Sequence, residues 1–330
     1  MKRIRRLVYE KITLASQEAH VSHKKLIRLF LLVTIVLFGC PSLSPAQKKD
    51  KERVTGPAVL WREPVDITAR NLLTGAGGDA LKPDLSQVTF IKDETGGYST
   101  KYRVRDAAGN EWVAKVGKEA QSETASNRLV WAVGYETEIV YLAPTLTIEG
   151  KGTFENVRLE ARPKDIKREG EWSWSENPFG RSPELQGLKI MMVLINNWDM
   201  KDSNNQILVA KNDTTGETEL RYIISDLGGS LGKTGGIFSR SRNKPSDFVK
   251  AEFIDGVKHN VIDFHYSGKN KALFEGITVE DARWLATRLR KLNDDQLKDA
   301  FRAANYNAED VDRMAQTVRE KIDLLYFLSQ

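Results

Sequence analysis

The chain has 330 residues, enough for one large domain or two modest ones with a sizeable core. The formal net charge is +5, but residues 1–46 alone carry eight Lys or Arg and two Glu, a net charge of +6. The rest of the chain therefore has a net charge of only −1. The overall basic charge is thus no evidence for nucleic-acid binding by this part of the chain. We predict no nucleic-acid partner.

The first 46 residues have the pattern of an export signal. A basic flank, "HKKLIR", precedes an unbroken apolar run at 29–39, which is short for a bilayer span and typical of a signal peptide. Small residues at 44–46 indicate cleavage before Gln47. We therefore predict a signal peptide at 1–46 and an exported protein, which is periplasmic, secreted or in a secretory pathway. Membrane attachment is expected only if Cys40 is lipidated or the leader stays uncleaved.

The next part of the chain predicts a small antiparallel sheet with one helix. Residues 47–86 are charged or punctuated by Gly and Pro, and are predicted to be a linker with an irregular N-terminal extension. Alternating apolar residues and tight glycine turns then predict strands at 87–94, 100–106 and 111–117. Helix formers in "SETASNRLVWAVGY" predict a helix that ends at Gly134. This first lobe is expected to span 87–150.

The remainder, 151–330, is predicted to form a larger, mainly helical lobe. Residues 151–180 are expected to be irregular. A buried helix follows, with Ser182 as its N-cap and Pro183 in its first turn. The segments "QILVAK" and "LRYIIS" predict a hairpin, and the last 50 residues have the 3.6-residue periodicity of helices. The fold class predicted for the whole chain is α+β with two lobes.

Three motifs occur in a recognisable order on these predicted elements. They are "VAKVG" in the third strand, "DMKDSN" after the buried helix, and "DLG" after the hairpin. In this order the chain resembles the protein-kinase-like fold, in which these motifs correspond to the strand-three lysine, the D-x-K-x-x-N catalytic loop and the D-F-G turn. The resemblance covers about residues 87–232. No A-P-E element follows, so the resemblance is to the atypical branch, which includes secretory-pathway kinases and phosphatidylinositol kinases.

The resemblance implies roles for the polar residues of the later motifs. Asp199 would accept the proton of the substrate hydroxyl or orient that hydroxyl, and Lys201 would neutralise the transferred phosphoryl group. Asn204 and Asp226 would bind Mg²⁺ or Mn²⁺, which prefer oxygen ligands. The implied cofactors are thus one of these metals together with ATP or another nucleotide as donor.

The resemblance also implies a nucleotide-binding set in the first lobe. Lys115 would hold phosphate oxygens, and a carboxylate on the following helix would fix its ammonium group. Glu123 is the preferred carboxylate, with Glu119 and Glu136 as alternatives. Gly96 and Gly97, in the turn between the first two strands, would allow the backbone to approach phosphates closely. The set is predicted to converge with Asp226 on one cleft.

The function predicted is an exported, metal-dependent, kinase-like phosphotransferase that moves a phosphoryl group from a nucleotide to a hydroxyl acceptor. The acceptor class stays open among protein, lipid and sugar. The alternative is a kinase-like module that binds its ligand without turnover, because Asn197 and Trp198 replace the His-Arg pair that usually precedes the aspartate. A third reading is a serine hydrolase that uses Ser230 of "GGSLG". The acids Asp255 and Asp263 lie too close in sequence to His259 and His265 for a catalytic triad. The two histidines are also a poor zinc pair.

Overall fold

The computed structural model describes residues 54–96 and 99–329. Residues 54–330 form one compact unit. The predicted signal peptide at 1–46, including Cys40, lies outside the described residues, and so does Gly97. None of the helices in the described ranges combines the length and the apolar character needed to cross a membrane.

The described residues contain eleven β-strands and six α-helices, which confirms the predicted α+β class. The strands are β1 Ala58–Val59, β2 Thr89–Asp93, β3 Thr100–Arg105, β4 Glu111–Val116, β5 Val140–Ile148, β6 Gly152–Ala161, β7 Lys167–Gly170, β8 Asn205–Lys211, β9 Thr218–Ile224, β10 Ile254–Lys258 and β11 Val261–Phe264. The helices are α1 Glu119–Ala132, α2 Pro183–Leu194, α3 Pro245–Phe248, α4 Val279–Leu289, α5 Asp294–Arg302 and α6 Ala308–Leu328.

The first lobe is an antiparallel sheet with one helix, as the sequence predicts, but the sheet has five strands. The strand order is β2-β3-β4-β6-β5, and α1 packs against β4, β5 and β6. One face of the sheet carries its own apolar core, which includes Val104, Trp112 and Leu159. Because side chains alternate along a strand, Lys115, the second-last residue of β4, points to the opposite face. Its direct partner across the ladder is Arg158 of β6.

The prediction that residues 151–180 are irregular is wrong. Residues 152–161 form β6, which pairs with both β4 and β5, so the sheet continues past residue 150 to Ala161. Residues 167–170 form β7 at the edge of the second sheet. Val157, Leu159 and Ala161 face the apolar core of the sheet and alternate with the buried ions Arg158 and Glu160 on the opposite face. This strand pattern covers only residues 157–161, and it was missed.

The second lobe is built on the buried helix α2 and the β8–β9 hairpin, both as predicted. Ser182 caps α2 by accepting a hydrogen bond from the backbone N–H of Leu185 at 3.2 Å. The hairpin forms a four-stranded sheet in the order β1-β9-β8-β7. Capping boxes at Thr278 and Asn293 start α4 and α5, which pack with α6 around the larger core. The predicted two-lobed arrangement is therefore confirmed.

The described part of the N-terminal extension is packed onto the domain. Leu60, Ile67 and Leu72 are buried in the larger core. β1 pairs with β9 in parallel, and Trp61 forms a β-bridge with Tyr135 at the end of the α1 region. These contacts fix the segment that leads into the first lobe.

Candidate functional site

Lys115 lies at the centre of a group of carboxylates. Its side chain is only 2% exposed, and its Nζ lies 2.8 Å from Glu123 Oε2 and 2.9 Å from Glu119 Oε2. The third carboxylate, Asp226, approaches to 3.5 Å from the loop after β9. Glu123, the preferred carboxylate, and Glu119, one of its alternatives, thus both contact the lysine, because they lie one turn apart on α1. Glu136 forms its ion pairs with arginines outside this group.

Arg158 extends this group behind the lysine. Its guanidinium lies 2.5 Å from Glu123 Oε1 and 2.5 Å from Glu160 Oε2, and all three side chains are buried. Burial raises the pKa of Glu123, and the neighbouring cations Arg158 and Lys115 oppose that rise only in part. Glu123 therefore has one oxygen on each of two cations, which fixes its orientation toward Lys115.

Asp226 follows β9 and is held beside the "DMKDSN" loop. Its backbone N–H donates to the carbonyl of Asn204 at 3.2 Å, and its Oδ1 accepts from the N–H of Gly228 at 2.9 Å. Burial opposes ionisation of Asp226, but Lys115, the Gly228 N–H and Arg158 outweigh it and hold the pKa below its usual value. Asp226 is therefore an anion whose side chain is still 41% exposed.

The loop "DMKDSN" gathers polar contacts around Asp199. Asp199 Oδ2 lies 3.0 Å from Lys201 Nζ, and Oδ1 lies 2.6 Å from Lys269 Nζ. The Asn204 side chain donates to the Asp199 carbonyl at 2.6 Å, and the Asp199 N–H donates to Asn197 Oδ1 at 3.0 Å. Burial opposes ionisation, but Lys269, Lys201 and Asn204 together lower the pKa of Asp199. The carboxylate is thus ionised, and suits orienting a hydroxyl better than removing its proton.

Two consecutive glycines bring the two loops together. A Cβ on Gly228 would lie 2.9 Å from Glu119 Cβ and 3.1 Å from Asp226 Oδ1. A Cβ on Gly229 would lie 2.9 Å from Asp199 Cβ. Real Cβ atoms do not approach that closely, so any larger residue would push the carboxylates apart. The glycines of "DLGG" therefore allow close packing between α1 and the "DMKDSN" loop.

The side chains of Asn204 and Asp226 fit a hard metal ion. Asn204 Oδ1 and Asp226 Oδ2 accept no hydrogen bond from any described residue, although the other polar atom of each side chain is engaged. Two such oxygens leave room for water and phosphate oxygens in the octahedral shell that Mg²⁺ prefers. A separate group of three exposed side chains brings its ligand atoms within 4.8 Å of one another: Glu252 before β10, Asp255 on β10 and His265 directly after β11.

The glycine turn of the first lobe is only partly described. Gly96 has a φ of 109°, which favours glycine, and its carbonyl accepts from Lys101 Nζ at 3.3 Å. Gly97 lies outside the described residues, so the role predicted for this pair in phosphate binding stays a prediction.

The structure gives no support to the hydrolase reading. Ser230 is fully buried, and its Oγ has no hydrogen-bond partner among the described residues. His265 pairs instead with Asp255, at 2.8 Å. A triad serine needs an accessible hydroxyl that is hydrogen-bonded to a histidine.

Besides Arg158, three further residues near the site were missed by sequence reasoning. Lys269 reaches Asp199 from a loop 70 positions further along the chain, and nothing in its local sequence indicates this. Arg242 forms an ion pair with Glu119 and lies 5.3 Å from the ring of Trp198. In the sequence, Trp198 is only a departure from the motif. In the structure three cations lie within 6 Å of its ring, a contact that the sequence does not indicate.

No family model matches the chain, and no curated protein matches it. Among solved structures, the chain is similar to the proinflammatory kinase CtkA of Helicobacter pylori, with 11% identity and a TM-score of 0.47 over 74% of this chain and 96% of that one. It is also similar to the Rio2 kinase of Chaetomium thermophilum, at 12% identity and a TM-score of 0.31, over 76% and 77% of the two chains. The Rio2 complex with ADP and Mg²⁺ gives 11% identity and a TM-score of 0.29, over 74% of each.

The fold assignment rests on the architecture of the chain itself. A five-stranded sheet carries a buried lysine that is paired with a glutamate on the following helix, and a second lobe supplies the D-x-K-x-x-N loop and the D-L-G turn. This is the two-lobed kinase-like fold that the motifs predict.

Proposed function

We propose that the protein is an exported, metal-dependent phosphotransferase that transfers a phosphoryl group from a nucleotide to a hydroxyl acceptor. One observation carries the proposal: the Lys115 ammonium lies within 3.5 Å of carboxylates from both lobes, Glu123 on α1 and Asp226 after β9. Since the Asp226 N–H also bonds the Asn204 carbonyl, the lysine, the metal-ligand candidates and Asp199 form one connected site. Phosphoryl transfer requires mainly such positioning and charge neutralisation.

In this proposal each group has one task. Lys115 binds phosphate oxygens of the donor, and Glu123 holds the ammonium in place. Asn204 and Asp226 hold Mg²⁺ or Mn²⁺, which when bound neutralises charge on the donor phosphates. Lys201 faces the transferred phosphoryl group. Asp199 orients the acceptor hydroxyl.

A binding module without turnover is the second candidate, and the state of two residues favours it. Both Asp199 oxygens are engaged by lysines, and the Lys115 side chain is 2% exposed and surrounded by carboxylates. A donor must therefore displace a carboxylate from Lys115, and an acceptor must displace a lysine from Asp199.

Turnover of labelled nucleotide separates the two candidates. With Mg²⁺ or Mn²⁺ and γ-labelled ATP, water can serve as the acceptor, so release of labelled phosphate reports catalysis. We expect Asp199→Asn to lower this release at least 100-fold while nucleotide binding is retained, and the exposed Asp213→Asn to match the wild type. Binding without release in the wild type supports the binding module, and absence of binding contradicts both candidates.

Export is proposed from the leader pattern and has its own test. N-terminal sequencing of the protein recovered from its native cells should give a chain that starts near Gln47. A chain that keeps residues 1–46 and fractionates with the cytoplasm would contradict export.

A further inference from the structure

A basic loop at residues 233–244 presents two apolar side chains to solvent. Ile237 is 75% exposed and Phe238 is 103% exposed, and they are neighbours at the tip of the loop. Single exposed apolar residues are ordinary on a protein surface. An adjacent aliphatic and aromatic pair that is this exposed requires a reason.

The basic loop holds this tip in an ordered conformation. The backbone N–H of Ser241 donates to the carbonyl of Lys233 at 3.1 Å, and the Lys233 N–H donates to Ser241 Oγ at 3.1 Å, so the two ends are closed. At the tip, the N–H groups of Ser239 and Arg240 both donate to the carbonyl of Gly236 at 3.0 Å. The turn itself therefore exposes the apolar pair, and the loop does not have to become ordered before the pair can contact a ligand.

The charge of the basic loop is of one sign. It contains four cations and no acid, whereas the chain after residue 46 has a net charge of −1. Lys233 and Arg240 have no carboxylate partner among the described residues, and Arg240 stacks 4.0 Å over the ring of Trp198. The other two cations of the loop are ion-paired with carboxylates. Lys233 and Arg240 therefore supply the unpaired positive charge on the loop that carries the apolar tip.

We propose that the basic loop docks the protein onto an anionic lipid surface, with Ile237 and Phe238 inserted between headgroups and the flanking cations on the lipid phosphates. An apolar tip flanked by cations matches the surface of an anionic membrane, in which the acyl chains are apolar and the headgroups carry negative charge. A convex tip does not match the concave grooves that recognise peptides. This contact needs neither a lipid on Cys40 nor an uncleaved leader.

The docked orientation brings the lipid surface next to the candidate active site. The indole N–H of Trp198 donates to the carbonyl of Ser241 in the basic loop at 3.0 Å, and Asp199 is the next residue in the chain. A hydroxyl on a lipid headgroup would then be presented to Asp199. This consequence rests on the proposed function, whereas docking itself does not.

Vesicle sedimentation tests the docking without any nucleotide. Residues 54–330 form one compact unit with its own cores, so the chain from Gln47 onward is expected to fold without the apolar leader. We expect this chain to sediment with phosphatidylserine–phosphatidylcholine vesicles at low salt and much less with pure phosphatidylcholine. The partition coefficient should fall at least tenfold in Ile237→Ser/Phe238→Ser, and by a similar factor in Lys233→Gln/Arg240→Gln.

The matched control is Phe327→Ser, which removes another exposed aromatic residue, 72% accessible, from α6. Its partition should equal that of the wild type. Equal sedimentation of the wild type and the tip variant overturns the proposal, as does absence of sedimentation with anionic vesicles. Loop-dependent capture by immobilised polyglutamate, without vesicle binding, also overturns it and assigns the basic loop to an acidic protein partner. Because no outcome depends on turnover, failure of docking leaves the phosphotransferase proposal standing.

Discussion

At the scale of single residues, the candidate site is organised by buried charges that neutralise one another. Lys115 and Arg158 are adjacent across the β4–β6 ladder, and Glu123 contacts both. A buried ion without a partner is strongly unfavourable, so each member of the group depends on the others. The sequence shows Lys115 within a motif, but Arg158 belongs to no motif, and its role follows only from strand register.

Removing Arg158 should therefore be costly. Arg158→Met leaves Glu123 with Lys115 as its only cation and takes one partner from Glu160. We expect the free energy of unfolding to fall by roughly 3–5 kcal/mol, because one partner of a buried ion pair is lost. Urea denaturation measures the change. Arg105→Met, at a half-exposed arginine on the same sheet, should change it by less than about 0.5 kcal/mol. A similar small loss in Arg158→Met would show that the buried network contributes little.

At the scale of elements, the site depends on how closely the turn after β9 approaches α1. Gly228 occupies the point of contact, where an added Cβ would meet Glu119 and Asp226. We expect Gly228→Ala to lower stability by about 1–3 kcal/mol through overpacking and to weaken nucleotide binding by moving Asp226 away from Lys115. Unfolding and nucleotide titration of the same variant measure both effects.

Gly256→Ala is the matched control, because an added Cβ at Gly256 meets no atom within 4 Å. It should retain the stability and the nucleotide affinity of the wild type. If Gly228→Ala behaves like this control, close approach of the turn to α1 is not needed for the site.

The last helix, α6, contributes a buried lysine that caps the C-terminus of α2. Lys321 Nζ donates to the carbonyl of Leu194 at 2.9 Å and to Asn196 Oδ1 at 3.0 Å, just before the "DMKDSN" loop. It lies 4.3 Å from the ring of Phe248 and has no carboxylate partner among the described residues. Burial lowers the pKa of Lys321 to about 7 from its ordinary 10.5.

This lowered pKa predicts a pH dependence of stability. Between pH 7 and 10.5 the unfolded chain binds a proton at Lys321 that the folded chain does not, so the free energy of unfolding rises with pH across this window. Below pH 7 both states are protonated and the contribution is constant. Relative to Lys321→Met, the wild type should gain roughly 1 kcal/mol per pH unit between pH 7.5 and 9.5. Denaturant unfolding at several pH values measures the difference, with the exposed Lys291→Met as control. A difference that is flat with pH would contradict the lowered pKa.

At the scale of the whole molecule, the sequence predicted the lobes better than their connections. The strands around Lys115, the helix α2 and the C-terminal helices were predictable, because their apolar spacing follows the periods of strand and helix. β6 was missed, since its alternation of apolar and charged residues is confined to residues 157–161. Contacts such as that of Lys269 with Asp199 could not be predicted either, because they join segments far apart in the chain.

The central claim is that both lobes together form a nucleotide–metal site. Thermal unfolding of the chain from Gln47 onward, with ATP and Mg²⁺ or Mn²⁺, tests it most directly. At a ligand concentration 100-fold above Kd, the stabilisation should be roughly 2.7 kcal/mol, which raises Tm by roughly 5 °C or more. The account predicts that Asp226→Ala abolishes the metal-dependent part of this rise, while the exposed Asp213→Ala keeps it. A wild type that no nucleotide stabilises, or an Asp226→Ala variant with the full metal-dependent rise, would contradict it.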